Sequence, residues 1–303
     1  MSPINGCNPN KPTYFSLEEY VDKIELSDNV RYHIEETSEE FDKYIKILTN
    51  FDESTILYFL ISAFEKEMED SNLIENHIIN PKEINEKNVF FDSLTISHKR
   101  IKDLHQFVTD NKVEYDYRKE EVRVSYLDKK TMNETIYWYG VNEEDIKRFM
   151  DDFIKIYKNK SMSAKDNNAF IKSAIVHLLL TRIHPFVDGN GRTARIIQNM
   201  KFTEAINKVY GYNLKISPLH LSQSILLNQP TYCKRLNNIY FDLEHDNNEE
   251  INNWLDFILN MYDEQIYCMS GLLQEKKELL KSTSTINNNI EIKTLSKKMH
   301  LKK

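Results

Sequence analysis

Residues 168–200 read NAFIKSAIVHLLLTRIHPFVDGNGRTARIIQNM, and this stretch decides the fold. Its first half places Phe170, Ile171, Ala174, Ile175, Leu178 and Leu179 at helical spacing, a strong apolar stripe. Pro185 breaks that helix, because it lacks an N–H and its ring clashes with the preceding turn. A second helix is expected to begin near Gly191 and to run past Met200. Between the two lies His184-Pro-Phe-Val-Asp-Gly-Asn-Gly-Arg-Thr-Ala-Arg195. The chain has only six glycines in 303 residues, and two of them, Gly189 and Gly191, fall in this loop. A chain so poor in glycine has little use for tight turns and reads as mainly helical.

The loop carries a chemistry of its own. Glycines let a backbone come close to a ligand, and successive N–H groups at a helix start form an anion site. Arg192 and Arg195 are three residues apart in the first turn and share one face. Two guanidinium groups beside a backbone nest suit a polyphosphate. Asp188 is a hard oxygen ligand placed to bring Mg²⁺ to that polyphosphate. His184 is a candidate general base near neutral pH. Singly, each feature is commoner as a turn, a solvated pair or a helix cap. Together they spell phosphoryl or nucleotidyl transfer.

Working outward, Pro3, Gly6, Pro9 and Pro12 mark an irregular start, and Ser16 to Asn50 is helical and charged. Asp52 or Ser54 is a candidate cap for the next helix, whose Ile56, Leu57, Leu60, Ile61 and Phe64 recur at helical spacing. A further helix is expected over Ser97–Val108. The period then changes to two in Glu121–Tyr126 and Thr135–Tyr139, which predicts a β-hairpin. Helical pattern returns over Asn142–Tyr157, Leu219–Leu227, Thr231–Tyr240 and Glu250–Leu273.

The segment from His184 to Arg195 resembles the signature of the Fic (filamentation induced by cyclic AMP) family, H-x-F-x-[D/E]-G-N-G-R-x-x-R, with every fixed position present. Chance would produce such a match on the order of 10⁻⁸ times in a chain of this length. The resemblance extends over about Ser93 to Met261, including the hairpin, which is similar to the family's flap. It implies a mainly α, Fic-type helical bundle with a β-hairpin flap. It further implies an enzyme, a protein adenylyltransferase (AMPylator) that moves AMP from Mg-ATP to a hydroxyl side chain of a target protein. His184 would deprotonate the target, and Asp188 would hold Mg²⁺. Gly189, Asn190 and Gly191 would cradle the phosphates, with Arg192 and Arg195 on the outer ones. Phe186 would anchor the loop in the core. Asn228 and Tyr232 fall where family members contact adenosine, although Cys233 departs from the second Tyr often found there. The target would add a strand along the 121–139 hairpin, and the chain itself is a further expected target, as a homo-oligomer.

Ser71-x-x-x-Glu75-Asn76 matches the family's inhibitory pattern, [S/T]-x-x-x-E-[G/N], on a predicted helix N-terminal to the signature. The implied role has Glu75 paired with Arg195 in the place of the γ-phosphate, with Ser71 one turn earlier on the same face. Two other activities stay open at this level: removal of AMP by water that Glu75 positions, and kinase-type chemistry, against which the intact Gly191 argues.

The expected organisation is a helical lead-in (1–50), a segment with the inhibitory motif 71–76 (51–92), a catalytic domain (93–268) and a flexible basic tail (269–303). With 40 Lys plus Arg against 47 Asp plus Glu, the net charge is −7, so no nucleic-acid partner is expected. The longest apolar stretch, Ile56 to Phe64, is about half of the ~20 residues that a membrane span needs. No signal peptide is read, and Cys7, Cys233 and Cys268 are few and far apart, so the expected location is the cytoplasm.

Overall fold

Residues Ala169–Ile183 form helix α6, and every one of them is buried. A helix apolar on all sides belongs inside a bundle. Asn168 starts it, its side chain accepting from the N–H groups of Phe170 and Ile171. Helix α7 (Asn190–Tyr210) packs along α6 and is also largely buried, yet polar: Asn190, Arg192, Arg195, Gln198, Asn199 and Lys201 all face inward. Buried polar groups require partners. Lys201 donates to the Tyr157 carbonyl at 2.6 Å and pairs with Glu204 at 2.8 Å. The computed structural model describes residues 12–75, 93–127, 134–158 and 168–300.

The other helices enclose this pair. Helix α2 (Asp28–Leu48) packs on the long α10 (Asn248–His300), α4 (His98–Val108) on α7, and α5 (Ile146–Lys158) on α6. The short α1 (Leu17–Asp22) lies against α5, and α9 (Gln229–Asn238) against α10. Trp254 of α10 is fully buried and donates its indole N–H to the Ala174 carbonyl of α6 at 3.2 Å. His33 of α2 sits between two carboxylates of α10, Asp256 and Asp263, each 2.8 Å from one ring nitrogen. Helix α3 (Glu53–Ile74) packs on α8 (Ser222–Leu227) and touches α7.

Side-chain caps follow the sequence closely. Ser16, Ser27, Asp52 and Ser97 each accept an N–H at the start of α1, α2, α3 and α4. Of the two candidates for α3, Asp52 is the cap. Helices α7, α8 and α9 have no side-chain cap, and α7 is opened by Gly189 in the left-handed conformation.

The expected hairpin is present as β1 (Arg123–Leu127) and β2 (Glu134–Tyr139), antiparallel, with an irregularity between Val124 and Ser125 that leaves Tyr137 outside the register. Trp138 is buried, and the Arg182 guanidinium lies 4.9 Å from its ring centroid. The fold is therefore mainly α with a two-stranded flap. Helix α10 runs on to His300, so the backbone of residues 269–300, expected as a tail, is helical. Among the described residues, no helix is long and apolar enough to cross a membrane.

Candidate active site

His184 ends α6 with a left-handed backbone, φ 53° and ψ 60°, which turns the chain into the loop. Its Nδ1 lies 3.1 Å from the Thr181 carbonyl. A carbonyl can only accept, so the proton sits on Nδ1 and the Nε2 lone pair is left to act as a base. Burial pushes the imidazole down to about 4, against the Thr181 carbonyl, with Arg118 adding to the lowering and Glu75 opposing it. The ring is therefore neutral at pH 7.

The loop after it is fixed from within. Phe186 is fully buried and stacks on His105, with ring centroids 3.7 Å apart. Asn190 closes the loop: its Oδ1 accepts from Phe186 N at 2.9 Å, and its amide donates to the Phe186 carbonyl at 2.8 Å. The Asn190 side chain is thus committed to the loop's own backbone, and only its main-chain N–H remains as a contribution to an anion. His105 Nε2 donates to the Asp188 carbonyl at 2.9 Å. Gly189 has φ +79°, and a Cβ there would overlap Thr109.

Asp188 lies at the open side. Its side chain is 53% exposed, Oδ1 accepts from Gly189 N at 2.6 Å, and Oδ2 meets Arg192 Nη2 at 3.1 Å. Arg192 is buried and also donates to the Val108 carbonyl at 3.3 Å and to Asn72 Oδ1 at 3.4 Å.

Arg195 is 1% exposed. Its Nε donates to Ser71 Oγ at 2.8 Å, and its Nη2 donates to the Ser71 carbonyl at 2.8 Å and to Glu75 Oε1 at 2.9 Å. Burial works to lower the guanidinium, and Glu75, Tyr232 and Glu67 together outweigh it, so the net shift is upward. The buried Nη1 has no partner among the described residues. It would lie 3.1 Å from a Cβ built on Gly191, and that same Cβ would overlap Glu75 Oε1. The Glu75 carboxylate therefore rests against the bare glycine face at the mouth of α7. Glu75 caps the C-terminus of α3. Asn76 lies outside the described residues.

Asn228 and Tyr232 do not contribute in the same way. Asn228 sits where α8 meets α9 and donates to the Ser224 carbonyl at 3.0 Å. Tyr232 is buried, and its hydroxyl is 2.9 Å from His177 Nε2. The other nitrogen of His177 is 2.6 Å from Gln198 Oε1, an acceptor, so Nδ1 carries the ring proton, Nε2 accepts the hydrogen bond of the Tyr232 hydroxyl, and His177 is a core group.

Sequence reasoning misses two residues that seat α3. Glu67 is buried and accepts from Ser222 N at 2.9 Å, Ser222 Oγ at 2.7 Å and Asn199 Nδ2 at 3.0 Å. The signal exists, since Glu67, Ser71 and Glu75 recur every fourth residue along one helical face. Gln229 donates to the Ile74 carbonyl at 2.7 Å. That bond goes to main chain and leaves no pattern in the sequence.

The residues fit an anion and a cation in different degrees. An uncapped helix start, two buried guanidiniums and an orphaned N–H suit phosphate oxygens. Among the described residues, no cluster of three or more His, Cys, Asp or Glu could hold a metal by itself. One half-exposed carboxylate is the pattern for Mg²⁺, which takes one or two carboxylates and completes its shell with phosphates and water.

Residues 95–200 match the Fic/DOC family model. The fold is similar to the crystal structure of a Fic family protein from Desulfovibrio desulfuricans G20, at 14% identity and TM-score 0.56, over 81% of this chain and 75% of that one. It is likewise similar to a Fic domain containing signaling protein from Bacteroides thetaiotaomicron VPI-5482 (15% identity, TM-score 0.53, 80% and 94% covered). A third similar structure is Fic-1 (residues 134–508) from C. elegans (16% identity, TM-score 0.50, 84% and 73% covered). At these identities the likeness is one of fold, and within that fold residues 95–200 match the Fic/DOC family.

Proposed function

We propose that this protein transfers AMP from Mg-ATP to a hydroxyl side chain of a protein and that α3 holds it in check. The observation that carries this reading is the position of the Glu75 carboxylate. It sits on Arg195 and against Gly191, at the end of the loop that His184 begins. An anion-shaped place beside a neutral imidazole is already filled by an anion from the chain itself.

The chemistry follows from the residues. The target oxygen attacks the α-phosphorus as its proton passes to Nε2 of His184, and the bond to the β-phosphate oxygen breaks to release pyrophosphate. The Nδ1–H bond to Thr181 keeps the ring in the tautomer that accepts this proton. The N–H groups at the start of α7 and the guanidiniums of Arg192 and Arg195 face the phosphate oxygens, where negative charge grows on the leaving group. Asp188 would hold Mg²⁺, which neutralises phosphate charge when bound. The target would lie along the β1–β2 hairpin, where main-chain groups bind an added strand with little regard for its sequence. With Glu75 in place, the outer phosphate cannot reach Arg195, and ATP is held in a pose that does not react.

The test uses ATP labelled at the α- or the γ-phosphate. Wild type, Glu75→Gly and His184→Ala are compared, followed by mass spectrometry of the labelled peptide. The expected result is α-label on protein, stronger in Glu75→Gly and absent in His184→Ala. Label from the γ-phosphate alone would overturn AMP transfer in favour of phosphorylation.

A further inference from the structure

We propose that Arg118 is a positioning residue that ties the backbone of His184 to the base of the β1–β2 hairpin, so that the proton acceptor and the strand edge are held as one unit. The proposal rests on the reading of His184 as the base.

Arg118 is 2% exposed, and its three side-chain hydrogen bonds go to three main-chain carbonyls from three segments. Nε donates to His184 O at 2.7 Å, Nη1 to Glu120 O at 2.7 Å, and Nη2 to Val141 O at 2.5 Å. Its own main-chain N–H donates to Pro185 O at 2.9 Å. One residue therefore grips the two peptide units that flank Pro185, His184–Pro185 and Pro185–Phe186. It also spans the hairpin, since Glu120 leads into β1 and Val141 follows β2. The hairpin base is tied in parallel through Gly140 N to Val122 O at 3.0 Å and Val141 N to Ile183 O at 3.3 Å.

This arrangement is costly, which argues that it does more than fill space. Among the described residues the hydrogen bonds of Arg118 go to carbonyls, and a buried guanidinium held this way is expensive, where an apolar side chain would pack at lower cost. Burial accordingly pushes the guanidinium below its ordinary value. Arginine suits the task because its planar fork presents donors in fixed, divergent directions, which lysine cannot reproduce. Gly140 makes the room: a Cβ there would come within 2.6 Å of Arg118 Nη2 and 3.1 Å of His184 Cβ.

The atom that Arg118 holds most directly belongs to a strained residue. His184 has a left-handed backbone, which L-residues with a Cβ avoid, and such a conformation persists only where its surroundings over-determine it. Residue 184 can relax only if its carbonyl turns, and Arg118 prevents that turn. Rotation there would swing the imidazole off the Thr181 carbonyl and away from the reacting oxygen. The charge of Arg118 also helps to keep the ring neutral.

The experiment uses the full chain with Glu75→Gly as reference. Arg118→Lys keeps the charge and loses the fork, Arg118→Met loses both, and Gly140→Ala crowds the guanidinium without removing it. Loss of positioning lowers kcat by about tenfold or more in each variant, while KM for ATP stays within about twofold. Nitrogen-15 spectra of the histidine rings give an independent readout: the Nδ1–H signature of His184, assigned by its loss in His184→Ala, is altered in all three variants. The acid limb of activity moves to higher pH in Arg118→Met and less in Arg118→Lys. A folded variant with unchanged kcat and an unaltered His184 signal overturns the proposal, and so does a rise in KM that accounts for the whole loss. Should Arg118→Met fail to fold, Gly140→Ala and Arg118→Lys decide. If the Glu75→Gly reference transfers no AMP, the reading of the enzyme fails, and the His184 spectrum still decides whether Arg118 positions the ring.

Discussion

The Nη2 of Arg195 donates to Glu75 Oε1 at 2.9 Å, across 120 residues of sequence, while its Nε and the same Nη2 are held by Ser71. The guanidinium is buried, and the carboxylate is 33% exposed. The pair joins the C-terminus of α3 to the second turn of α7. Removing Glu75 therefore does two opposite things. It leaves a buried cation short of its partner, at a cost of about 1–2 kcal/mol given the exposure of the carboxylate. It also clears the place of an outer phosphate. Glu75→Gly should melt lower than wild type without nucleotide, gain more in Tm from Mg-ATP, and transfer AMP severalfold faster. Equal gains in Tm from Mg-ATP in the two proteins would count against inhibition by α3.

The neutral state of His184 sets the pH dependence of the reaction. A base must be unprotonated, so activity rises with pH through its pKa. Burial holds that value near 4 rather than 6.5. The acid limb of kcat/KM for Glu75→Gly should therefore lie below about pH 5, since loss of the Glu75 charge lowers the ring further. An acid limb at the ordinary histidine value would sink the assignment of a buried, tautomer-locked base.

Two glycines separate backbone strain from crowding. Gly211 follows α7 with φ +71°, and nothing lies within 4 Å of a Cβ built there. Gly211→Ala should cost about 1 kcal/mol, the price of a left-handed L-residue alone. Gly189 has a similar φ, but its Cβ would overlap Thr109 and lie 3.3 Å from His105. Gly189→Ala should cost at least twice as much in urea unfolding. Equal losses would mean that Thr109 yields freely.

His33 gives stability its alkaline slope. The hydrogen bond that the ring donates to Asp263 raises its pKa to about 9, burial opposes the rise, and Asp256 adds to it. A folded-state value above the unfolded one stabilises the folded form fully below the unfolded pKa, and that contribution is lost as pH rises through the folded one. The α2–α10 contact should therefore weaken between about pH 6.5 and pH 9. Thermal melts across this window should show a steeper fall for wild type than for His33→Gln. Parallel slopes would refute the role of His33.

Much of this arrangement is legible in the chain itself. The apolar stripe of α6, the caps at Asp52 and Ser97, and the period-two runs of the hairpin all follow from neighbours in sequence. Helical spacing and capping are local rules, so they can be read locally. The continuation of α10 through residues 269–300 is not legible in the same way, because a polar, lysine-rich composition lowers apolar periodicity. The role of Asn190 is half legible. Its place in the loop is evident, but its side chain serves Phe186 backbone atoms four residues away.

By itself, the sequence determined that His184, Asp188, the two glycines and both arginines would lie together where one helix ends and the next begins, because twelve consecutive residues cannot separate. Only the tertiary structure decided the contacts that no motif implied: the Ser71 carbonyl on Arg195, Glu67 on Ser222, and Arg118 on the His184 carbonyl. Contacts of that kind depend on how helices pack, and where the acceptor is a main-chain carbonyl, any residue type supplies it, so no pattern of side chains announces them.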